Sequence, residues 1–164
     1  MILTEESIAR IRGKASAYPH RKSAILPALT IACRQVGFVS DEIYREISRA
    51  INVPEVEIAE AATFYTMFPK RPTGRYLIQV CHNISCALLG ADSLVAYLEE
   101  KLGIKKGETT SDKLFTLISV ECLGSCATAP MMQINQDYHE NLTREKVDQI
   151  IDELRAKGET EART

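Results

Sequence analysis

Four of the five cysteines fall into two short-spaced pairs, Cys81-x4-Cys86 and Cys122-x3-Cys126, and each pair directly follows a β-rich run. If the two runs lie side by side in one sheet, four sulfurs meet at its end although 35 residues separate the pairs. A count of five in 164 residues is odd and too sparse for a disulfide scaffold. The first residues carry no cationic, apolar leader that would send the chain to an oxidising compartment. Neither pair has the two intervening residues of a redox dithiol, which excludes that chemistry. Four thiolates suit a metal centre, an iron–sulfur cluster or structural zinc, and spacing alone leaves both open.

The residues around the pairs bear on that choice. Gly124 inside the second pair and Gly90 just beyond the first let the backbone wrap closely and aim N–H groups at sulfur. Leu88, Leu89, Leu123, Ala127, Ala129 and Pro130 are expected to form a small apolar shell that limits solvent access, from which a structural zinc gains little. Pro130 opens a strand where thioredoxin-like folds often carry a cis proline. A Rieske-type site is disfavoured, because His82 adjoins Cys81 but no histidine lies near Cys122 or Cys126. His20, His82 and His139 read as ordinary surface or turn residues. Cys33, on a helix face with Leu29 and Val36, reads as a packing thiol.

The chain changes character near Thr73. Before it, Thr4 is placed to cap a helix carrying Ile8 and Ile11, ending at Pro19. A second helix is expected over about 23–36, with Gly37 at its end, and Ser40 caps a third whose Ile43, Ile47 and Ile51 form an i, i+4, i+8 stripe. A fourth opens on Pro54 at its first position and runs into Ala59–Ala62. The aromatic stretch Thr63–Phe68 reads as a joint between two parts. After Thr73 the pattern predicts a strand at Tyr76–Val80, a loop, a helix over Ala91–Leu102, and a strand at Leu114–Val120. The cysteine loop follows, then strands at Met131–Ile134 and Tyr138–Glu140 about a turn at Asn135–Asp137. Thr143 caps a last helix, and Gly158–Thr164 reads as a solvated tail. The expected fold class is α+β: a helical N-terminal domain with linker over 1–72, then a thioredoxin-like β-α-β-β-β-α domain with a mixed four-stranded sheet over 73–164.

A net charge of −2, with 45% hydrophobic and 26% charged residues, describes an ordinary globular chain. Lysines and arginines form no basic stripe, so neither nucleic acid nor an anionic membrane surface is indicated. No apolar run approaches the ~20 residues of a membrane helix. The part from Thr73 carries 14 acidic and 10 basic residues, the part before it 8 and 10. No Gly-rich dinucleotide fingerprint or phosphate loop is present, so the chain offers no evident site of its own for a nucleotide or flavin.

These motifs are recognisable together. Thr63-Phe64-Tyr65, Cys81-x4-Cys86-x3-Gly90, Leu102-Gly103-Ile104, Gly107-x-Thr109-Thr110-x-Asp112 and Val120-Glu121-Cys122-Leu123-Gly124-Ser125-Cys126-x3-Pro130 resemble the E subunit of NADH:quinone oxidoreductase, respiratory complex I. This is the family of thioredoxin-like [2Fe–2S] subunits, and the resemblance covers nearly the whole chain. It implies that Cys81, Cys86, Cys122 and Cys126 ligate one [2Fe–2S] cluster. It also implies that the helical N-terminal part clasps the flavin-bearing F subunit, with FMN and NADH on that partner. The chain would then sit at the inner face of the cell membrane, in the cytoplasm, through the complex and without inserting. Related subunits serve soluble NAD-linked formate dehydrogenases and NAD-reducing hydrogenases. Where the family often has Asp-Gly before the second strand, this sequence has Asp112-Lys113. Glu121, beside Cys122, would oppose an added electron on a cluster if poorly screened, or else simply caps a strand end in solvent.

Overall fold

A computed structural model describes residues 1–161 of the chain. The chain divides into two compact units, Met1–Pro72 and Thr73–Thr164, each with its own hydrophobic core.

The first unit is helical: α1 (Glu5–Ser16), α2 (Ile25–Val36), α3 (Asp41–Ile51) and α4 (Glu55–Phe64). Thr4 caps α1, its hydroxyl accepting from the Ser7 amide at 3.2 Å. A short 3-10 turn, Arg21–Ala24, leads into α2, which closes on Gly37. The α3 stripe is fully buried, with Ile43, Ile47 and Ile51 packed beside Leu3, Ile11, Leu29 and Ile58. Each such side chain contributes about 1.5–3 kcal/mol by leaving water. Glu46 of α3 holds the N-terminal segment, accepting from the amides of Ile2 at 2.6 Å and Leu3 at 2.9 Å. Two local expectations shift. Pro54 stands at the N-cap rather than inside α4, where its fixed φ suits the entry and its missing N–H costs nothing. The helix also continues through Thr63 and Phe64, because the alanine run carries it on. The Thr63 hydroxyl donates to the Ala59 carbonyl at 2.7 Å, and the Tyr65 amide closes the last turn on Ala61 at 3.1 Å.

The second unit is α+β. Its strands are β1 (Tyr76–Cys81), β2 (Phe115–Val120), β3 (Met132–Ile134) and β4 (Asp137–His139), in the sheet order β2-β1-β3-β4. β1 pairs parallel with β2, Cys81 opposite Val120, and antiparallel with β3, Val80 opposite Met132. A parallel pair needs a long crossover, and α5 (Ile84–Leu88) with α6 (Ala91–Leu102) provides it. Alternate residues of each strand that share one sheet face, Ile78, Val80, Phe115, Leu117, Met132 and Ile134, are buried with Leu94, Leu98 and Leu102 of α6. Val147 and Ile151 of α7 (Arg144–Glu161) complete this core. Across it, Asp148 of α7 accepts from Tyr97 at 2.6 Å and from Lys101 at 2.7 Å.

The last helix corrects the expected tail. α7 runs to Glu161, and Gly158 is buried against Leu114, whose Cδ1 would lie 2.6 Å from a β-carbon placed there. A glycine at the end of an amphipathic run is here a close-contact residue, not a terminator. Residues 162–164 of that stretch lie outside the described residues. β4 begins one residue earlier than expected, so the β3–β4 turn tightens to Asn135-Gln136, with Asn135 at φ +55°.

Candidate metal centre

The parallel register of β1 and β2 places their C-terminal ends next to each other, so the chain leaves the sheet twice at one edge, at Cys81 and just before Cys122. β3 enters at the same end, where the Cys81 amide donates to the Met131 carbonyl at 3.3 Å. The Ala129-Pro130 peptide leading into it is cis. Three passages of backbone thus converge where the sequence puts its cysteines.

Cys81 closes β1, and Cys86 lies on α5, which starts at Asn83 as its cap: the Asn83 Oδ1 accepts from the Ile84 amide at 3.0 Å. Both thiols are 2% exposed and form a small core with Ala91 and Met131, against which Leu123 and Ala129 pack. Cys122 and Cys126 are exposed, with their sulfurs 3.5 Å apart. The Cys81 thiol acts on those of both Cys86 and Cys122. The two cysteine pairs thus stand at the same end of the sheet. Cys33 is not among them: it is half-buried against the helical core of the other unit, and burial pushes its thiol up.

The four thiols are not equivalent. The Gly124 amide, donating to the Cys122 sulfur at 3.4 Å, pulls that thiol below its ordinary value, and the Cys126 and Cys81 thiols pull the same way. Gly124 sits at φ +85°, a conformation in which a side chain would be strained. Cys126 is pushed up, first because it hydrogen bonds to Cys122. Cys86 is pushed up chiefly by burial. In the cluster-free chain Cys122 is thus the thiol most readily deprotonated of the three, and thiolate is the form that binds metal.

Among the described residues, no group of three or more His, Cys, Asp or Glu side chains is drawn together as around one metal ion. Cys122 and Cys126 meet sulfur to sulfur, while Cys81 and Cys86 share one small buried cluster. A [2Fe–2S] cluster takes its protein donors two to each iron, so the donor set fits that group: four cysteines on two backbone turns, one pair buried and one open. The expected apolar shell is only half built. Leu123 and Ala129 pack on the buried pair, whereas Leu88 is 82% exposed and Leu89 and Ala127 also face solvent. The short α5 buries Cys86 on its inner side and turns Leu88 outward.

Several groups around the site escape a reading by spacing. Ser85 pulls the Cys126 thiol down, against the larger upward push from Cys122. Glu121 accepts from the Asn83 side-chain amide at 2.9 Å and lies 3.4 Å from His82 Nε2, so the residues next to Cys81 and Cys122 are joined to each other. Asn83 before an apolar turn is a legible cap signal. Its second bond, to a residue 38 positions on, depends on the sheet.

Comparison with known proteins identifies the family. Residues 11–155 match the family model described as thioredoxin-like [2Fe-2S] ferredoxin. The E 2 subunit of the NADH-quinone oxidoreductase of Rhizobium meliloti (strain 1021) is 46% identical over 146 residues, covering 89% of this chain and 87% of that protein. The E subunit of the NADH-quinone oxidoreductase of Rickettsia bellii (strain RML369-C) is 46% identical over 136 residues, covering 82% and 81%. Among solved structures, an NAD+-reducing [NiFe]-hydrogenase in the air-oxidized state superimposes with a TM-score of 0.69 at 28% identity, covering 81% of this chain and 23% of that one. The chain spans less than a quarter of that hydrogenase chain. The match over residues 11–155 and the relatives at 46% identity establish that this chain belongs to the thioredoxin-like [2Fe–2S] ferredoxin family.

Proposed function

We propose that Cys81, Cys86, Cys122 and Cys126 hold one [2Fe–2S] cluster, and that the chain is the electron-carrying E subunit of an NADH:quinone oxidoreductase, with no catalysis of its own. The observation that carries this reading is the parallel β1–β2 pairing, which delivers both cysteine pairs to one end of the sheet. When bound, such a cluster takes up and releases one electron at a time. The chain's own part is to supply the four thiolates, to exclude water from the Cys81–Cys86 side, and to leave the Cys122–Cys126 side open toward a redox partner.

That partner is proposed to be the flavin-bearing F subunit, carrying the FMN and the NADH site for which this sequence shows no motif. The unit Met1–Pro72 is proposed to dock on it. In support, this unit exposes the large apolar side chains Phe64 at 77%, Met67 at 64% and Val56, which a partner surface could cover. No helix among the described residues is long and apolar enough to cross a membrane, so attachment to the inner face of the cell membrane would run through the complex. The second reading, the equivalent subunit of an NAD-reducing hydrogenase, has the hydrogenase superposition in its favour at 28% identity, against 46% for the E subunits.

Anaerobic purification of the full chain tests the cluster. A brown protein whose visible absorption bleaches with dithionite and which then gives a rhombic EPR signal is expected. A colourless protein with stoichiometric zinc would overturn the reading. Cys122→Ser should lose cluster, and Cys33→Ser should keep the full spectrum; loss in the Cys33 variant would show the ligand set to be wrong. The subunits that co-purify decide between the quinone-linked complex and its soluble relatives.

A further inference from the structure

The loop between Cys122 and Cys126 has no regular structure until the 3-10 turn Cys126–Thr128, and both of its sulfurs are exposed. Freely jointed, each residue of such a loop would retain about 1–2 kcal/mol of backbone conformational freedom, and a four-thiolate site needs its sulfurs held at fixed spacing. The restraint comes from the β3–β4 hairpin and the residues just after it. The Tyr138 hydroxyl donates to the Leu123 carbonyl at 2.8 Å, gripping the loop one residue after Cys122. The Glu140 carboxylate accepts from the Ser125 hydroxyl, one residue before Cys126, and from the Thr128 hydroxyl at 2.8 Å. Both hydroxyl bonds hold the Glu140 carboxyl below its ordinary range, so it is an anion at neutral pH.

The grip is itself braced. The Asn141 amide donates to the Thr128 carbonyl at 2.7 Å and the Leu142 amide to the Pro130 carbonyl at 3.0 Å, which lays the chain after β4 along the segment after Cys126. Lys146 of α7 donates to the carbonyls of Glu140 at 3.1 Å and Asn141 at 3.3 Å.

We infer that Tyr138 and Glu140 are positioning residues for the second cysteine pair: the hairpin takes hold of the loop at Leu123 and Ser125 and so sets the separation and direction of Cys122 and Cys126. This rests on the reading of those two cysteines as cluster ligands. Neither side chain is placed to bind iron; each acts through a loop residue adjacent to a ligand. Outer groups of this kind typically alter metal retention 10- to 100-fold when removed.

The test uses the full-length chain reconstituted with iron and sulfide, with the rate of cluster loss to excess EDTA followed by visible absorption and the EPR line shape recorded after reduction. Tyr138→Phe and Glu140→Ala are each expected to speed cluster loss by ~10-fold or more and to change the EPR g-spread. Glu140→Gln, whose amide oxygen still accepts from both hydroxyls, should recover most of the wild-type rate. Thermal unfolding of the cluster-free variants should stay close to wild type, because the Tyr138 bond is exposed and the Glu140 bonds are only part-buried. Cys122→Ser serves as the control. Wild-type loss rates and line shapes in Tyr138→Phe and Glu140→Ala, with cluster loss in Cys122→Ser, would overturn the inference while leaving the ligand reading intact. An unchanged spectrum in Cys122→Ser would overturn both. A fall in cluster-free stability matching the faster loss would assign the two residues to general hairpin stability and overturn the inference alone.

Discussion

Gly124 donates its backbone N–H to the Cys122 sulfur across 3.4 Å, from a residue held at φ +85°. A β-carbon added there meets nothing within 4 Å, so the constraint is conformational rather than steric. Gly124→Ala is therefore expected to cost about 1–2 kcal/mol if the loop keeps its shape, and the loop can escape that cost by rotating the amide away from sulfur. Lower iron content per chain in the alanine variant, with a smaller loss in Gly124→Asn, is the expected outcome. Iron content equal to wild type in Gly124→Ala would show that the amide is not needed.

The carboxylate of Glu121 stands beside Cys122, bonded to Asn83 and close to His82. Its side chain is largely exposed, yet it is engaged by both neighbours. Removing its charge makes an added electron on the neighbouring centre easier to accept, so Glu121→Gln should move the reduction potential in the positive direction. A unit charge ~8 Å away in water-like surroundings shifts a one-electron potential by roughly 20 mV. An EPR-monitored redox titration reads this directly, and a negative shift would contradict it.

Lys113 sits at φ +57°, a left-handed conformation that favours glycine. The turn into β2 is otherwise well tied: the Lys113 amide donates to the Thr110 carbonyl at 2.8 Å and the Leu114 amide to Asp112 Oδ1 at 2.9 Å. A non-glycine residue in this region costs on the order of 1 kcal/mol, part of which glycine gives back through the greater freedom of its unfolded chain. Lys113→Gly should thus raise stability by about 0.5–1 kcal/mol, read by denaturant unfolding of the cluster-free chain, with no change in the cluster spectrum. A lower midpoint would mean that the lysine side chain matters more than the backbone strain.

Where local pattern and tertiary packing agree, the sequence is legible. α6 lies at Ala91–Leu102 as read, because Leu94, Leu98 and Leu102 repeat at helical spacing and a glycine follows. The cysteine pairs could be placed at one sheet end because a β-helix-β crossover makes the flanking strands parallel. α5 was not legible: its five residues bury only Cys86 and make no stripe, leaving the Asn83 cap as the single signal. Composition gave the apolar residues near the cysteines but not their direction, so Leu88 and Leu89 were expected inward and face out. The hold of Tyr138 on Leu123 and of Glu140 on Ser125 spans 15 residues in each case. It exists only in the register of a hairpin whose turn is one residue shorter than the pattern suggested. At Gly74 a β-carbon would lie 2.8 Å from the Phe115 backbone, a close approach no local signal announces.

His139, on β4, lies in a cleft with Ile134, Ile150 and Leu154, and Asp137 and Glu153 face it there. Burial lowers its pKa below the ordinary value of 6.5, and the two carboxylates oppose that shift without cancelling it. As pH falls through about 6.5 the unfolded chain therefore takes up the proton first, and the folded chain binds it only at lower pH. The stability this neutral histidine confers is fully present above pH ~6.5 and is lost as pH drops through the depressed folded value. His139→Gln, close in size and unable to titrate, should flatten the decline in unfolding temperature between pH 7.5 and 5.5, most visibly in the cluster-free chain. An identical slope in the variant would show that the proton is taken up elsewhere.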